Sequence, residues 1–172
     1  MSGEVLTLPL EITGTRNVEW SSFEQVFHLH GARMKSIAYN LLGNEADAED
    51  ALQEAFLKGY RSQQGFKKNA ALHTWVYRIL INNCLDEGCR RQRRPFVDAP
   101  PEAVPGGSSA DLRFALRQAM SQLAARPRAV FLMAAVEGLP HAGIAAILEI
   151  SETNSRTLLL EARRELQVKL SR

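Results

Sequence analysis

A run of helix-breaking residues divides this chain and limits what it can fold into. Within residues 96–110 stand Pro100, Pro101, Pro105, Gly106, Gly107, Ser108 and Ser109. Proline lacks the amide proton that a helix needs, and glycine and serine leave the backbone flexible. A flexible segment of that length spans roughly 20 Å on average. On either side, apolar residues recur at three- and four-residue steps, the period of an amphipathic helix. The expected fold is therefore all-α: two small helical domains joined by a flexible linker. The expected divisions are a loose N-terminal leader over residues 1–20, a first domain over 21–95, the linker over 96–110 and a second domain over 111–172.

In the first domain a helix is expected from Ser21 or Ser22. Its apolar stripe is Phe23, Val26, Phe27, His30, Met34, Ile37, Ala38 and Leu41, and Gly43 ends it. Asn44 is placed to cap a second helix, with Glu45 and Asp47 in a first turn that favours negative charge. That helix carries Ala48, Ala51, Leu52, Ala55, Phe56 and Tyr60 on its apolar side. Residues 61–70 are polar and read as a loop. A third helix is expected over 71–94, stopped by Pro95, with Leu72, Trp75, Val76, Ile79, Leu80, Asn83 and Asp86 along its stripe.

The second domain reads as four helices. The first covers 111–123. The next has Pro127 at its first position and runs to Glu137, where Gly138 breaks it. Pro140 opens a short helix ending near Leu148. Glu149, Ile150 and Ser151 make a turn, and a long helix covers 152–170. A short helix, a three-residue turn and a longer helix are the proportions of a helix-turn-helix, whose second helix enters the DNA major groove. Ile144, Ala145, Ile147, Leu148 and Ile150 would form its core. Asn154, Ser155, Arg156 and Thr157 would lie where base edges are reached.

Charge is nearly balanced, 21 basic against 19 acidic residues, but it is unevenly placed. Residues 44–54 hold Glu45, Asp47, Glu49, Asp50 and Glu54 and no base. Residues 90–94 hold Arg90, Arg91, Arg93 and Arg94 and no acid. Two surfaces of opposite sign suit two different partners. The arginine cluster suits phosphates, and Lys67, Lys68 and Asn69 ahead of His73 and Trp75 suit a single strand whose bases stack on rings. The two cysteines, Cys84 and Cys89, fit neither a disulfide scaffold nor a zinc motif. No metal, cofactor or catalytic residue is assigned, and no enzyme is expected. The longest apolar run, residues 129–136, is short of the roughly 18 residues a membrane span needs. Without a secretory signal, the expected location is the cytoplasm, with no membrane insertion.

The stretch ADAEDALQEAF at residues 46–56 resembles the polymerase-binding helix of sigma-70 family factors of the extracytoplasmic-function (ECF) type. LHTWVYRILIN at residues 72–82, with Asp86 and the arginines, resembles the promoter-melting and minus-ten-reading segment of that family. In the second half, Arg128 to Leu132, Glu137 to Leu139, and Ile144 with Ala145 resemble its minus-thirty-five-reading domain. The resemblance spans residues 23–170 and implies a non-enzymatic transcription initiation factor whose partners are core RNA polymerase, promoter DNA and an anti-sigma factor. It implies polymerase contacts from Asp47, Glu49, Asp50, Gln53, Glu54 and Phe56. It implies minus-ten contacts from Lys67, Lys68, Asn69, His73, Trp75, Arg78, Asn82, Asn83, Arg90, Arg91, Arg93 and Arg94. Minus-thirty-five contacts would come from Asn154, Ser155, Arg156, Thr157 and Arg163.

The last helix departs from the family pattern. Ser155 stands where an apolar anchor is usual, Leu158 and Glu161 where arginines are usual, and Glu149 where the turn usually has glycine. Two rivals follow. One is a sigma-like decoy that binds an anti-sigma factor without reading promoters. The other is a two-domain helix-turn-helix repressor, which has no need of the acidic helix.

Overall fold

The computed structural model describes residues 20–63, 71–92 and 107–171. Among them are seven helices and no strand: α1 (Trp20–Leu42), α2 (Glu45–Arg61), α3 (Leu72–Gln92), α4 (Gly107–Ser121), α5 (Ala125–Phe131), α6 (His141–Leu148) and α7 (Glu152–Leu170). A single π-helical turn, Leu132–Val136, extends α5.

Local chemistry sets the boundaries. Gly43 ends α1 with φ of 76° and donates its N–H to the Tyr39 carbonyl at 2.7 Å, a left-handed geometry that glycine adopts without a Cβ clash. The side chain of Asn44 then accepts the Asp47 N–H at 3.2 Å and caps α2. Ser151 does the same for α7, accepting the Asn154 N–H at 3.0 Å. Each cap satisfies an amide that the helix itself leaves unpaired.

Two expected boundaries move. Helix α4 begins at Gly107, inside the segment read as linker, because small residues at 107–110 are tolerated in a helix's first turn, where serine and glycine serve the unpaired amides. Helix α5 begins at Ala125, so Pro127 is its third residue rather than its first. Any first-turn position tolerates proline, since those amides have no partner within the helix.

Helices α1 and α2 pack on each other and on one side of α3, burying Phe23, Met34, Ile37, Leu41, Leu52 and Ala55 against Val76, Tyr77, Leu80 and Ile81. Helices α4 to α7 bury Leu123, Val130, Met133, Ile144, Leu159 and Leu166. Helices α5 and α6 also pack on α3, and the buried apolar residues form one contiguous cluster across both groups. The expected stripe of α3 is accordingly too narrow. Tyr77, Ile81 and Cys84 are buried as well, whereas Asp86 is exposed. Phe27 and Tyr60, expected in the core, are exposed at its rim, where Phe27 meets Phe56 and Tyr60 meets Phe23 edge to face, with ring centroids 5.3 and 5.7 Å apart.

Burial separates the effects of two substitutions on α3. Leu80→Ala empties a fully buried site and should cost about 2–5 kcal/mol. Asp86→Ala, on the exposed side of the same helix, should change stability by no more than about 0.5 kcal/mol. Chemical denaturation of the two variants beside the parent checks both values.

Candidate nucleic-acid interface

The acidic helix presents a polar outer face. Asp50, Gln53 and Glu54 are exposed and line a shallow groove with Leu57, Lys58 and Arg61. Glu49 is turned the other way. It and Glu45 both hold the ammonium of Lys35 on α1, at 2.6 and 3.0 Å. These bonds, the Glu49 bond first, raise the Lys35 pKa above its ordinary value. All three groups are open to water, so the cluster orients side chains more than it stabilises the fold. Phe56 is buried against Phe27. In this structure its ring packs inward and holds α2 against α1. Asp47 is half-buried in the first turn.

The residues expected to read DNA on α3 fall into distinct environments. Trp75, Arg78 and Asn82 are three and four residues apart and so share one face. Asn82 is exposed, and Trp75 is half-buried against the core. Asn83 is half-buried, and its Nδ2 has no partner among the described residues. The His73 ring stacks on His30 with centroids 4.7 Å apart and planes at 16°, and His30 meets Tyr77 edge-on. Burial, then His73, then Arg33 lower the His30 pKa from 6.5. Burial pushes the Tyr77 hydroxyl up to about 12, and the buried thiol of Cys84 likewise to about 12. Lys67, Lys68, Asn69, Arg93 and Arg94 lie outside the described residues. Arg90 and Arg91 fall in the last turn of α3, with no described side chains.

Arg78 is engaged within the chain. Its Nη1 lies 2.9 Å from Glu149 Oε1, and its Nη2 donates to the Ala146 carbonyl at 2.7 Å. Both partners belong to the helix-turn-helix. Nothing in the periodicity of α3 announces this contact. The one sequence signal was Glu149 in a glycine position, and Glu149 does adopt the left-handed conformation, φ 55° and ψ 45°. A residue with a Cβ pays about 1 kcal/mol to sit there.

A second contact joins the two helix groups. The π turn bonds the Glu137 N–H to the Leu132 carbonyl at 3.0 Å, and Gly138 follows with φ of 69°. This aims Glu137 at α1, where Ser36 Oγ donates to it at 2.5 Å and Arg33 Nε lies 3.8 Å away.

On α7, Asn154, Arg156, Thr157 and Arg163 are exposed. Arg156 pairs with Glu152 one turn back at 3.1 Å, and the Thr157 hydroxyl donates to the Thr153 carbonyl. Ser155 does not join them. It is 0% exposed, and its Oγ is hydrogen-bonded to His141 Nδ1 at 2.8 Å. Expected at a base edge, Ser155 instead closes the helix-turn-helix with His141 as a polar pair and supports α7 from behind. Leu158 is half-buried against the core and Glu161 is exposed. Among the described residues no three His, Cys, Asp or Glu side chains converge as metal ligands, and no helix is long and apolar enough to cross a membrane.

Residues 26–94 match the family profile for sigma-70 region 2, and residues 113–166 match sigma-70, region 4. The chain is 29% identical over 149 residues to the ECF RNA polymerase sigma factor SigM of Mycobacterium tuberculosis, covering 84% of this chain and 75% of that protein. Among solved structures it resembles CnrH in complex with the cytosolic domain of CnrY, with a TM-score of 0.68 and 23% identity, covering 89% of this chain and 90% of that one. It also resembles the sigma factor RpoE in complex with the anti-sigma factor NepR from Bartonella quintana, with a TM-score of 0.65 and 22% identity, covering 88% and 98%.

The lowered His30 pKa has a consequence for stability. Between the folded value and about 6.5, the unfolded chain binds more protons, so stability rises with pH across that window and is lost as pH falls through it. His30→Gln should flatten the stability profile just below pH 6.5. Thermal melts from pH 5 to pH 8 check this, and an unchanged profile in the variant would contradict it.

Proposed function

We propose, for a chain that belongs to the sigma-70 family in its extracytoplasmic-function branch and so serves promoter-directed transcription initiation, that it docks core RNA polymerase through α2 and opens promoter DNA with α3. The observation that carries this reading is the outward acidic face of Asp50, Gln53 and Glu54, on a helix packed directly against the one that ends in Arg90 and Arg91. One surface suits a basic protein partner. The other suits phosphates and unstacked bases.

No bond is made or broken by the chain in this mechanism. Polymerase contacts, phosphate contacts and a few base contacts sum to a preference for promoter DNA. The arginines at the end of α3, with Lys67 and Lys68, hold the opened strand. Asn82, with Asn69 and Trp75, reads minus-ten bases. Asn154, Arg156, Thr157 and Arg163 on α7 meet the minus-thirty-five element. With Leu158 tucked into the core and Glu161 outward, α7 offers fewer cations to phosphates, so its share of the affinity is small and relies on polymerase to hold it near the DNA. The complex of RpoE with NepR supports an anti-sigma factor as the regulator of this chain too, acting in the cytoplasm. The exposed Glu161 is the feature that favours the decoy reading. A decoy would bind the anti-sigma factor but open no promoter.

Two experiments test the assignment. Asp50→Arg with Glu54→Arg should abolish pull-down of core polymerase while leaving the melting temperature within a few degrees, because both sites are exposed. Retained pull-down would remove α2 as the docking surface. Replacing Arg90, Arg91, Arg93 and Arg94 by glutamine should weaken DNA binding for all sequences and flatten its salt dependence. Asn82→Ala should instead change which minus-ten sequence is preferred. Arginine variants that bind with the parent's salt slope would reduce the cluster to a helix end.

A further inference from the structure

We infer that His141 is a DNA contact of the helix-turn-helix and that Ser155 is its positioning residue: the buried hydroxyl holds the imidazole so that its Nε2–H meets a phosphate of the minus-thirty-five duplex. The inference rests on the proposal that α7 meets that duplex.

The pair ties the two helices of the helix-turn-helix together at the end that reads. His141 is the first residue of α6. Ser155 stands in the first turn of α7, between the exposed Asn154 and Arg156. Ser155 Oγ and His141 Nδ1 are 2.8 Å apart. The serine is fully buried and the histidine half-buried, so the pair reaches from the interior of the unit to its surface.

The surroundings decide which group donates. The proton of a fully buried hydroxyl needs an acceptor. Thr157, two residues on, donates its hydroxyl to the carbonyl one turn back. The Ser155 hydroxyl makes no such bond, and His141 Nδ1 is its one partner among the described residues. Ser155 therefore donates and Nδ1 accepts. A neutral imidazole carries a single proton, which is then on Nε2. Nε2 has no hydrogen bond to a described residue, yet it is not sealed from water. The result is an open N–H donor held beside the reading turn.

The geometry of the motif says what such a donor meets. The first helix of a helix-turn-helix crosses the DNA backbone while the second enters the major groove. A donor on the first residue of α6, tied to the reading turn, falls at the edge of that groove, where phosphate oxygens accept. Cations nearby on α7 are few. Arg156 is paired with Glu152 at 3.1 Å, Leu158 is half-buried against the core and Glu161 is exposed. A neutral donor adds a backbone contact without a further cation.

Two substitutions separate contact from support. The amide of asparagine reaches about as far as Nδ1 and that of glutamine about as far as Nε2. His141→Asn thus keeps the bond to Ser155 and loses the outer donor. His141→Gln keeps the outer donor, and Ser155 can then turn its hydroxyl to the carbonyl one turn back, as Thr157 does. The test uses the full chain with core polymerase on a genomic promoter fragment retained by the parent. Affinity is measured at fixed salt and pH, and ethylation interference maps the phosphates contacted. His141→Asn should bind about tenfold more weakly, the loss of one hydrogen bond to a charged group. It should lose interference at one phosphate of the minus-thirty-five region and keep the rest of the pattern. His141→Gln should restore both. Ser155→Ala should weaken binding less, and should add nothing in the His141→Asn background, since the contact it positions is already gone. Full affinity with asparagine and loss with glutamine would overturn the inference, because the histidine would then only close the motif. So would an interference pattern unchanged in every variant, or one lost across the whole minus-thirty-five region in both. If the parent itself shows no interference in that region, the placement of α7 on the duplex fails too. Unchanged variants of a parent that does show it overturn this inference alone.

Discussion

Helix α3 is packed on two sides, and the rest of the structure is arranged around that fact. Helices α1 and α2 close one side of it, and α5 and α6 close another. A helix so placed must be apolar around most of its circumference, because every buried face has to exclude water. Val76, Tyr77, Leu80, Ile81 and Cys84 meet that demand. Its polar groups, among them His73, Arg78, Asn82, Asn83, Asp86 and Glu87, lie on what the two packed sides leave open or half-open, ahead of the arginines at the C-terminal end. The same helix thus serves as the centre of the core and as the candidate DNA surface.

This double burial also explains which features were legible in the sequence. The stop at Gly43, the cap at Asn44 and the inward residues of the helix-turn-helix depend on neighbours within a few positions, and local pattern shows them. The outward face of α2 followed from Asp50 and Glu54 one turn apart. The contact of α3 with α6 left no periodic trace, since Arg78 and Glu149 are far apart in the chain, and only the place of Glu149 in a glycine position set either of them apart. For the same reason the apolar stripe expected on α3 is narrower than the buried surface. An amphipathic reading assumes one buried side, and α3 has two.

Phe56 and Ser155 illustrate a different limit. Both belong to stretches whose other members face outward, and motif position alone cannot say which side chain turns in. Phe56 turns in because Phe27 offers it an aromatic edge. Ser155 turns in because His141 supplies a hydrogen-bond partner that makes burial of its hydroxyl tolerable. The small, hydrogen-bonded serine anchors α7 by a polar contact where a side chain of the apolar kind would otherwise pack.

The chain carries acidic charge outward on α2 and arginines at the end of α3, and its proposed work is binding. The central claim is that, once polymerase is engaged, α3 holds DNA in an opened state. The most direct measurement is permanganate footprinting of genomic promoter fragments with core polymerase, with and without the full chain. The account predicts unpaired, reactive thymines in a short window upstream of the transcription start that appear when the chain is added. Polymerase recruited to the same fragments by the chain, with every thymine still protected, would contradict it.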